Sequence, residues 1–267
     1  MTILLMDSAA PSLTVVIPCY NEAERLDEAP LLAFLDSCAE ASLLFVDDGS
    51  TDATADRLEA IAAARPARID LLSLRPNGGK AEAVRRGMQT ALGRGAGVVG
   101  YLDADLSTPP DEIFRLRAAF ERSGVEADVQ AVLGSRVALL GTDIERNAAR
   151  HYLGRVFATA AAAILHARVY DTQCGAKLFR ASPALAAALA TPFLSRWAFD
   201  VELLGRLLTG GEGVSGMPLS AIVEVPLTTW HDVKGSKLSP LAMARSLADL
   251  GRIGLDVAAR RRRSRPA

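Results

Sequence analysis

Short apolar runs alternate with segments of helical periodicity through the first half of this 267-residue chain, and the alternation restricts its possible folds. Residues 80–92 place their apolar side chains on one helical face. Strands that alternate with helices predict an α/β, Rossmann-like fold, a mostly parallel sheet flanked by helices that binds its ligand beyond the carboxyl ends of the strands. The predicted strands lie at 13–19, 42–48, 69–75, 98–105 and 131–136.

The second half of the chain is more helical and less regular. A helical pattern covers 146–167, a strand is expected over 221–229, and a further helix over 239–259. We expect a single domain at 13–245 between an N-terminal extension, 1–12, and a helix end with a basic tail, 246–267. Within the domain, residues 13–137 would form the nucleotide-binding half and residues 138–245 the acceptor half.

Composition excludes several classes of protein. The net charge of −1 argues against binding nucleic acid through overall basicity. Three cysteines without a C-x-x-C pair indicate neither a disulfide framework nor a zinc site, so we expect a reduced, cytoplasmic setting. We recognise no signal peptide, and no run approaches the roughly 20 apolar residues of a transmembrane helix. The helix at 147–165 and the arginine-rich tail leave peripheral contact with the inner face of a membrane open; a solubilising tail is the alternative.

Polar side chains follow each predicted strand at the edge where a ligand would bind. After the first strand, an aromatic ring, an amide and a carboxylate could frame a base and its ribose, or could form an ordinary strand-to-helix turn. These residues are Pro18, Tyr20, Asn21 and Glu22.

The next two strands end in an acidic pair and in a glycine-containing loop. Asp48 is a candidate to accept from a ring N–H of a base, because Ser50 and Asp52 are the more natural helix caps. Residues 78–79 are glycines that let the backbone approach a ligand. Lys80 begins a helix against the helix dipole, so a negatively charged partner would favour its placement.

The fourth strand ends in Asp103-Ala104-Asp105, an Asp-x-Asp pattern. If the strand extends through it, the two carboxylates point to the same side. Buried close together, one of them would protonate unless they share a cation, and Mg²⁺ or Mn²⁺ suits carboxylate ligands. Helix capping is the alternative, although Ser107 and Thr108 already provide caps.

The strand-end motifs together resemble those of a known family. VVIPCYNEAERL, VDDGSTD, NGGKAEAVRRGM, YLDADLSTPPDEI and GSR are similar to the family 2 nucleotide-sugar glycosyltransferases of the A-type fold. DTQCGAKLFR, RWAFDVELL and WHDVKGSKL look like the dolichyl-phosphate or polyprenyl-phosphate β-glucosyltransferase branch. The resemblance covers residues 13–245 and implies an inverting transfer of a hexose, from UDP-glucose or a similar nucleotide sugar, to a lipid-linked monophosphate with Mg²⁺ or Mn²⁺.

The resemblance also implies roles for individual residues. It places the metal on Asp103 and Asp105, the latter also counted as catalytic, and Lys80 near the phosphates of the nucleotide. The nucleotide itself would be held by Pro18, Tyr20, Glu22 and Asp48.

An anionic acceptor needs cations, and the second half contains several. Asp200 is predicted as catalytic because other members of the superfamily place their base nearby, and Asp171 could orient the acceptor or the sugar hydroxyls. Trp230 could stack on the sugar or base, or could belong to the core. The predicted cationic contacts are Arg136, Arg155, Lys177 and Lys237.

Two other functions stay open. Ala176 stands where the branch usually has an aromatic residue, and the chain has no recognisable membrane anchor, so the acceptor could be a soluble molecule. A non-catalytic nucleotide-sugar binder is opposed by the Asp103 and Asp105 pair with Lys80, because binding alone needs no metal for a leaving group.

Overall fold

A computed structural model of the protein describes residues 12–121, 128–145, 148–232 and 240–263. Its strands are β1 (Leu13–Cys19), β2 (Ala41–Asp47), β3 (Ile69–Ser73), β4 (Val98–Leu102), β5 (Ala131–Ser135), β6 (Asp143–Glu145), β7 (Ala176–Arg180), β8 (Ile222–Pro226) and β9 (Thr229–His231). Its α-helices are α1 (Glu28–Ser37), α2 (Thr54–Ala64), α3 (Lys80–Gly93), α4 (Glu112–Ala118), α5 (Ala148–Leu165), α6 (Pro183–Leu189), α7 (Phe199–Thr209) and α8 (Pro240–Arg263). Short 3₁₀ turns lie at Ala119–Glu121 and Leu219–Ala221.

The central sheet has the strand order β3-β2-β1-β4-β7-β5-β8. Strand β7 is antiparallel to both of its neighbours, β4 and β5, and the other pairs of the sheet are parallel. Strands β6 and β9 form a separate parallel pair. The predicted α/β architecture with a mostly parallel sheet is confirmed.

Helices cover both faces of the sheet, and each face has its own apolar core. In β1, Val16 belongs to the core under α3, α6 and α7, whereas Val15 and Ile17 belong to the core under α1, α2 and α4. Strands that are buried on both faces read as continuous apolar runs rather than as alternating patterns. This explains why the runs were visible in the sequence.

Most predicted boundaries agree with the structure to within one or two residues, and the exceptions have physical reasons. The prediction of one strand over 98–105 is wrong, because β4 ends at Leu102 and a turn follows. The strands β6, β7 and β9 were not predicted: two have three residues each, and β7 contains a lysine. The expected strand over 221–229 is in fact β8 followed by a short connection to β9.

The carboxyl ends of β1, β2 and β4 meet at one edge of the sheet, and the amino end of the antiparallel β7 joins them. Leu102 at the end of β4 pairs with Ala176 at the start of β7, which brings the segment before β7 next to the Asp-x-Asp turn. Within the described residues, no helix is both long and apolar enough to cross a lipid bilayer.

Candidate active site

The Asp-x-Asp sequence lies in a tight turn immediately after β4. The N–H of Leu106 donates to the carbonyl of Asp103 (3.1 Å), and Leu106 has a positive φ of 51°. The N–H of Ser107 donates to Oδ1 of Asp105 (3.0 Å). Asp103 and Asp105 therefore lie in a turn after the strand, and not in the strand geometry that the sequence suggested.

Lys80 connects this turn to the start of α3. Its Nζ lies 2.6 Å from Oδ1 of Asp103, and the two side chains are 28% and 30% exposed. Burial by itself would lower the pKa of Lys80, but the charges of Asp103, Asp200 and Asp105 raise it above its ordinary value. The negatively charged partner expected for Lys80 is thus present within the chain, and these four charged groups form one cluster.

Gly175 leaves the space that the Asp103 carboxylate occupies. Gly175 comes just before β7, and a Cβ added to it would lie 2.2 Å from Oδ2 of Asp103. The N–H of Asp103 donates to the carbonyl of Gly175 (3.0 Å). Any larger residue at this position would displace the carboxylate, so the placement of Asp103 depends on Gly175.

Asp200 lies in the first turn of α7 and receives several donors from the interior. Nζ of Lys177 donates to its Oδ1 (2.7 Å) and to the carbonyl of Cys174 (2.6 Å), and the Tyr101 hydroxyl also donates to Oδ1. Gln173 Nε2 lies 3.4 Å from the other oxygen, Oδ2. Because the Lys177 side chain is fully buried and its amine is committed to these acceptors, the structure does not support the predicted contact of Lys177 with an acceptor phosphate. It positions Asp200 instead.

Asp48 holds the glycine-containing loop that precedes α3. Its carboxylate accepts from the N–H groups of Gly78 (2.8 Å) and Gly79 (2.7 Å) and from Nδ2 of Asn77 (2.9 Å). Burial raises the pKa of Asp48 above its ordinary value, although the two glycine amides act in the opposite direction. Asp48 therefore has a structural role that the sequence did not indicate, since it organises the loop next to Lys80. Asp52, expected to be a helix cap, is not the N-cap of α2; that position is Ala53, and Asp52 lies one residue earlier and accepts from the N–H of Thr54 (3.0 Å).

The residues after β1 line the same edge of the sheet. Pro18 is half-buried within β1, and Tyr20 keeps 38% exposure. Glu22 accepts two hydrogen bonds from the Arg25 guanidinium (2.9 and 2.6 Å). The N-cap of α1 is Asp27, and Asn21 lies well before it; the Asn21 Oδ1 accepts from the N–H of Thr51 (2.9 Å), which connects this segment to the loop after β2.

On the other side of β4, Arg136 and Asp171 form a bidentate ion pair. Nε and Nη2 of Arg136 lie 2.6 and 2.8 Å from the two carboxylate oxygens. Burial alone would raise the pKa of Asp171, but the Arg136 charge and its hydrogen bonds lower it well below the ordinary value. The guanidinium lies over the Trp230 ring, 5.3 Å from the centroid. Asp171 therefore holds the Arg136 guanidinium in place, and its predicted role in orienting the acceptor or the sugar hydroxyls stays a prediction.

Arg155 and the two-stranded sheet of β6 and β9 lie near this ion pair. Arg155 lies over the Tyr170 ring (4.2 Å) and donates to the Tyr170 carbonyl (3.1 Å). Nε2 of His231 in β9 lies 3.1 Å from Oδ2 of Asp143 in β6. The backbone N–H of His231 donates to the carbonyl of Ser107 (3.0 Å), which connects the two-stranded sheet to the Asp-x-Asp turn. Lys237 and its predicted phosphate contact lie outside the described residues.

Sequence reasoning missed four residues that shape the site: Tyr101, Gln173, Gly175 and Arg196. The last three fall in the motifs DTQCGAKLFR and RWAFDVELL, so their location was visible although their contacts were not. Tyr101 was hidden inside an apolar strand. Ala176 is fully buried in β7, so its side chain does not line an open pocket.

Comparison with known proteins agrees with this geometry. The model of the family described as "Glycosyl transferase family 2" matches residues 14–184, more than half of the chain. The chain belongs to this family. It is therefore a glycosyltransferase enzyme, as the strand-end motifs predicted.

Individual relatives place this glycosyltransferase within the family. It is 33% identical to the dolichyl-phosphate β-glucosyltransferase of Drosophila melanogaster, over 91% of this chain and 75% of the relative. It is 31% identical to the Dictyostelium discoideum enzyme of the same name, over 90% of this chain and 73% of that relative. The polyprenol monophosphomannose synthase of Mycolicibacterium smegmatis is 29% identical over 84% of this chain and 80% of its own. The predicted resemblance to the polyprenyl-phosphate glucosyltransferase branch is confirmed.

Solved structures confirm the predicted A-type glycosyltransferase fold. Glucosyl-3-phosphoglycerate synthase from Mycobacterium tuberculosis, solved with Mn²⁺, UDP and phosphoglyceric acid, superposes with a TM-score of 0.63. The superposition covers 91% of this glycosyltransferase and 78% of the synthase at 17% identity. At this identity the similarity concerns the fold alone.

Proposed function

We propose that this glycosyltransferase moves glucose from UDP-glucose, with inversion at the anomeric carbon, to the phosphate of a polyprenyl monophosphate. The observation that carries the proposal is the cluster of Lys80, Asp103, Asp105 and Asp200 at the carboxyl edge of the sheet. Open α/β sheets bind their ligands at this edge. The dolichyl-phosphate β-glucosyltransferases of Drosophila melanogaster and Dictyostelium discoideum, 33% and 31% identical to this chain, support the choice of donor and acceptor.

In this proposal the donor lies along the ends of β1, β2 and β4. Pro18, Tyr20, Asn21 and Glu22 frame the base and ribose, and Asp48 contributes by fixing the loop at 77–79 through its hydrogen bonds. Lys80 extends from the end of that loop toward the diphosphate. The amine is kept charged by the surrounding carboxylates, which suits contact with a phosphate oxygen.

The Asp-x-Asp turn suits a hard divalent cation. Asp103 and Asp105 offer carboxylate oxygens, which are the ligands that Mg²⁺ and Mn²⁺ prefer, and Gly175 leaves room for Asp103 to adopt this position. A divalent ion held there would stabilise the charge that develops on the departing diphosphate. Structures of the neighbouring synthase with Mn²⁺ or Mg²⁺ support the use of a divalent ion, and we propose either metal for this chain.

The acceptor approaches from the side of Arg136. A phosphate monoester has its second pKa near about 6, so it is largely ionised at neutral pH and requires no strong general base. Asp200, held by Lys177 and Tyr101, would accept a hydrogen bond from a sugar hydroxyl or orient the acceptor. Arg136, fixed by Asp171, and Arg155 provide cations for the phosphate.

The test is a transfer assay with purified protein and Mn²⁺. Radiolabelled UDP-glucose or GDP-mannose is offered with a short polyprenyl phosphate, with phosphoglyceric acid as a soluble phosphorylated acceptor, or with no acceptor. We expect label from UDP-glucose in an organic-extractable, acid-labile product. Transfer to phosphoglyceric acid alone would contradict the lipid acceptor and favour the soluble one.

The matched control for this assay is Asp105→Asn, which keeps the side-chain shape and removes one charge from the turn. We expect it to bind UDP but to lose turnover, because the leaving group would lack its charge stabilisation. Full turnover by Asp105→Asn would contradict the metal assignment, and a wild-type protein that binds nucleotide without any transfer would indicate a binder.

We also propose peripheral membrane contact through the basic end of α8. Arg260, Arg261, Arg262 and Arg263 occupy its last turn, and an arginine near a membrane surface contributes about 1 kcal/mol of attraction to anionic lipids. Sedimentation with vesicles of phosphatidylcholine, with and without phosphatidylserine, tests this. Equal binding to both vesicles would contradict it.

A further inference from the structure

We propose that Arg196 binds the diphosphate of the nucleotide-sugar donor, an inference that rests on the proposed function and extends its donor site. Arg196 lies in the segment before α7, in the motif RWAFDVELL, and its side chain is exposed. Within the described parts of the chain it forms no hydrogen bond and no ion pair.

The Arg196 side chain lies across the loop that leads into α3. A Cβ added to Gly79 would lie 3.0 Å from Cδ of Arg196 and 3.1 Å from its Cγ. The guanidinium is close enough to Asp48 to act on that carboxylate electrostatically. Gly79 directly precedes Lys80, so Arg196 and Lys80 approach the same short stretch of the sheet edge from two different elements.

The backbone that carries Arg196 is held in place by buried side chains. Ser195 is 1% exposed, and its Oγ accepts from the N–H groups of Trp197 (3.3 Å) and Ala198 (2.9 Å). Glu202 in α7 accepts from the N–H of Leu194 (2.7 Å). The backbone at Arg196 is therefore held in place, while its guanidinium is exposed to solvent. This arrangement lowers the entropy that is lost when an anion is bound.

Three other cations of the described site are already matched by carboxylates. Lys80 pairs with Asp103, Arg136 with Asp171, and Lys177 with Asp200. The departing nucleoside diphosphate gains a negative charge as the sugar leaves and then carries about three near neutral pH, which exceeds what one divalent ion neutralises. Arg196 offers the additional positive charge without giving up an ion pair, and its planar guanidinium suits two phosphate oxygens.

Sheet order favours the donor over the acceptor as the ligand of Arg196. Asp48 follows β2 and Gly79 follows β3, both on one side of β4. Arg136 follows β5 and Asp171 precedes β7, both on the other side of β4. Arg196 contacts the first group, which is the side where the nucleotide is proposed to lie.

The test measures UDP binding in the presence of Mn²⁺ and without acceptor. Wild type is compared with Arg196→Ala, Arg196→Lys and the matched control Arg94→Ala. Arg94 is the C-cap of α3, at the opposite end of that helix from Lys80, and pairs with Asp70 (2.8 Å). We expect the Kd for UDP to rise about tenfold or more in Arg196→Ala, since hydrogen bonds to charged groups contribute at this level, and to stay unchanged in Arg94→Ala. Arg196→Lys should fall between.

Each other outcome has a distinct meaning. Equal Kd values for UDP in Arg196→Ala and Arg94→Ala would overturn the inference and leave the proposed function intact. An unchanged Kd for UDP with a raised KM for polyprenyl phosphate would assign Arg196 to the acceptor and overturn the inference as well. A folded wild-type protein that binds neither UDP nor GDP would overturn the proposed function, and the role of Arg196 with it.

Discussion

The Nζ atom of Lys80 lies 2.6 Å from Oδ1 of Asp103, and this ion pair joins the first residue of α3 to the turn after β4. A cation at a helix N-terminus is unfavourable by itself. The neighbouring carboxylates compensate for it and raise the pKa of Lys80. The same amine that is proposed to contact the donor therefore also balances the charge of the Asp-x-Asp turn.

Lys80→Met should separate these two roles. In the wild type, the amine reduces the negative electrostatic potential at Asp103, Asp105 and Asp200, and Lys80→Met removes this positive charge. We expect the affinity of the nucleotide-free protein for Mn²⁺ to rise severalfold while turnover falls roughly a hundredfold. Electron paramagnetic resonance of free Mn²⁺ and the transfer assay measure the two effects. Lys80→Arg keeps the charge and is the control; weaker Mn²⁺ binding by Lys80→Met would contradict the prediction.

Gly175→Ala should displace the Asp103 carboxylate, because the new Cβ would lie 2.2 Å from its Oδ2. A misplacement on the order of 1 Å in a catalytic group can reduce turnover about a hundredfold, and we expect a loss approaching this value. Gly93→Ala is the matched control, since a Cβ at Gly93 has no atom within 4 Å. Its turnover should match wild type, with stability changed by no more than about 1 kcal/mol. Equal turnover by both variants would exclude the proposed support of Asp103 by Gly175.

Asp171→Asn should weaken use of the acceptor and leave binding of the donor nucleotide unchanged. Arg136 would lose its charged partner, so we expect kcat/KM for the acceptor to fall about tenfold with an unchanged Kd for UDP. Asp36→Asn, at an exposed ion pair with Arg65 (3.5 Å), is the control and should change neither quantity. An altered Kd for UDP in Asp171→Asn would contradict the separation of the two sides.

The stability difference between wild type and Asp171→Asn should depend on pH. The pKa of Asp171 in the folded protein is below its ordinary value of 3.8. Ionised Asp171 therefore stabilises the fold at pH values above 3.8, and this contribution is lost as the pH falls through the lowered pKa. Urea unfolding should give a constant difference above pH of about 5 and a shrinking one in more acidic buffer. A difference that grows with acidity would contradict the lowered pKa.

Lys177→Met should destabilise the fold, because it leaves Asp200 buried without its cation. Removal of one partner of a buried ion pair costs about 3–5 kcal/mol. In urea unfolding, the double variant Lys177→Met with Asp200→Asn should be more stable than the sum of the two single losses predicts. Strict additivity of the two losses would show that the residues do not act as a pair.

The sequence predicted the location of the candidate site better than its contacts. The ends of parallel strands must meet at one edge, so Asp103, Lys80 and the residues after β1 could be assigned to the same region. The pairing of Arg136 with Asp171 could not be assigned, because it depends on β7 lying between β4 and β5. The roles of individual site residues and the domain limits stay predictions.

The strand β7 shows why one part of the fold was not predictable. AKLFR contains Lys177, and a lysine argues against a buried strand. Its burial is possible only because Asp200, in a helix 23 residues further along the chain, accepts from the amine. No local periodicity records such a partner. Similarly, β4 ends before the predicted residue 105 because a turn begins there, in which the N–H of Leu106 donates to the carbonyl of Asp103. The apolar run in the sequence does not reveal this hydrogen bond.

The position of β7 also constrains how the chain can fold during synthesis on the ribosome. Strands β1 to β4 pair with one another and can assemble once residue 102 has emerged. Strand β5, whose five residues are all buried in the finished protein, pairs with β7 on one edge and β8 on the other, and both of these strands emerge later. Its backbone edges therefore stay unpaired until residues 176–226 have been made, and unpaired strand edges make a nascent intermediate prone to aggregate.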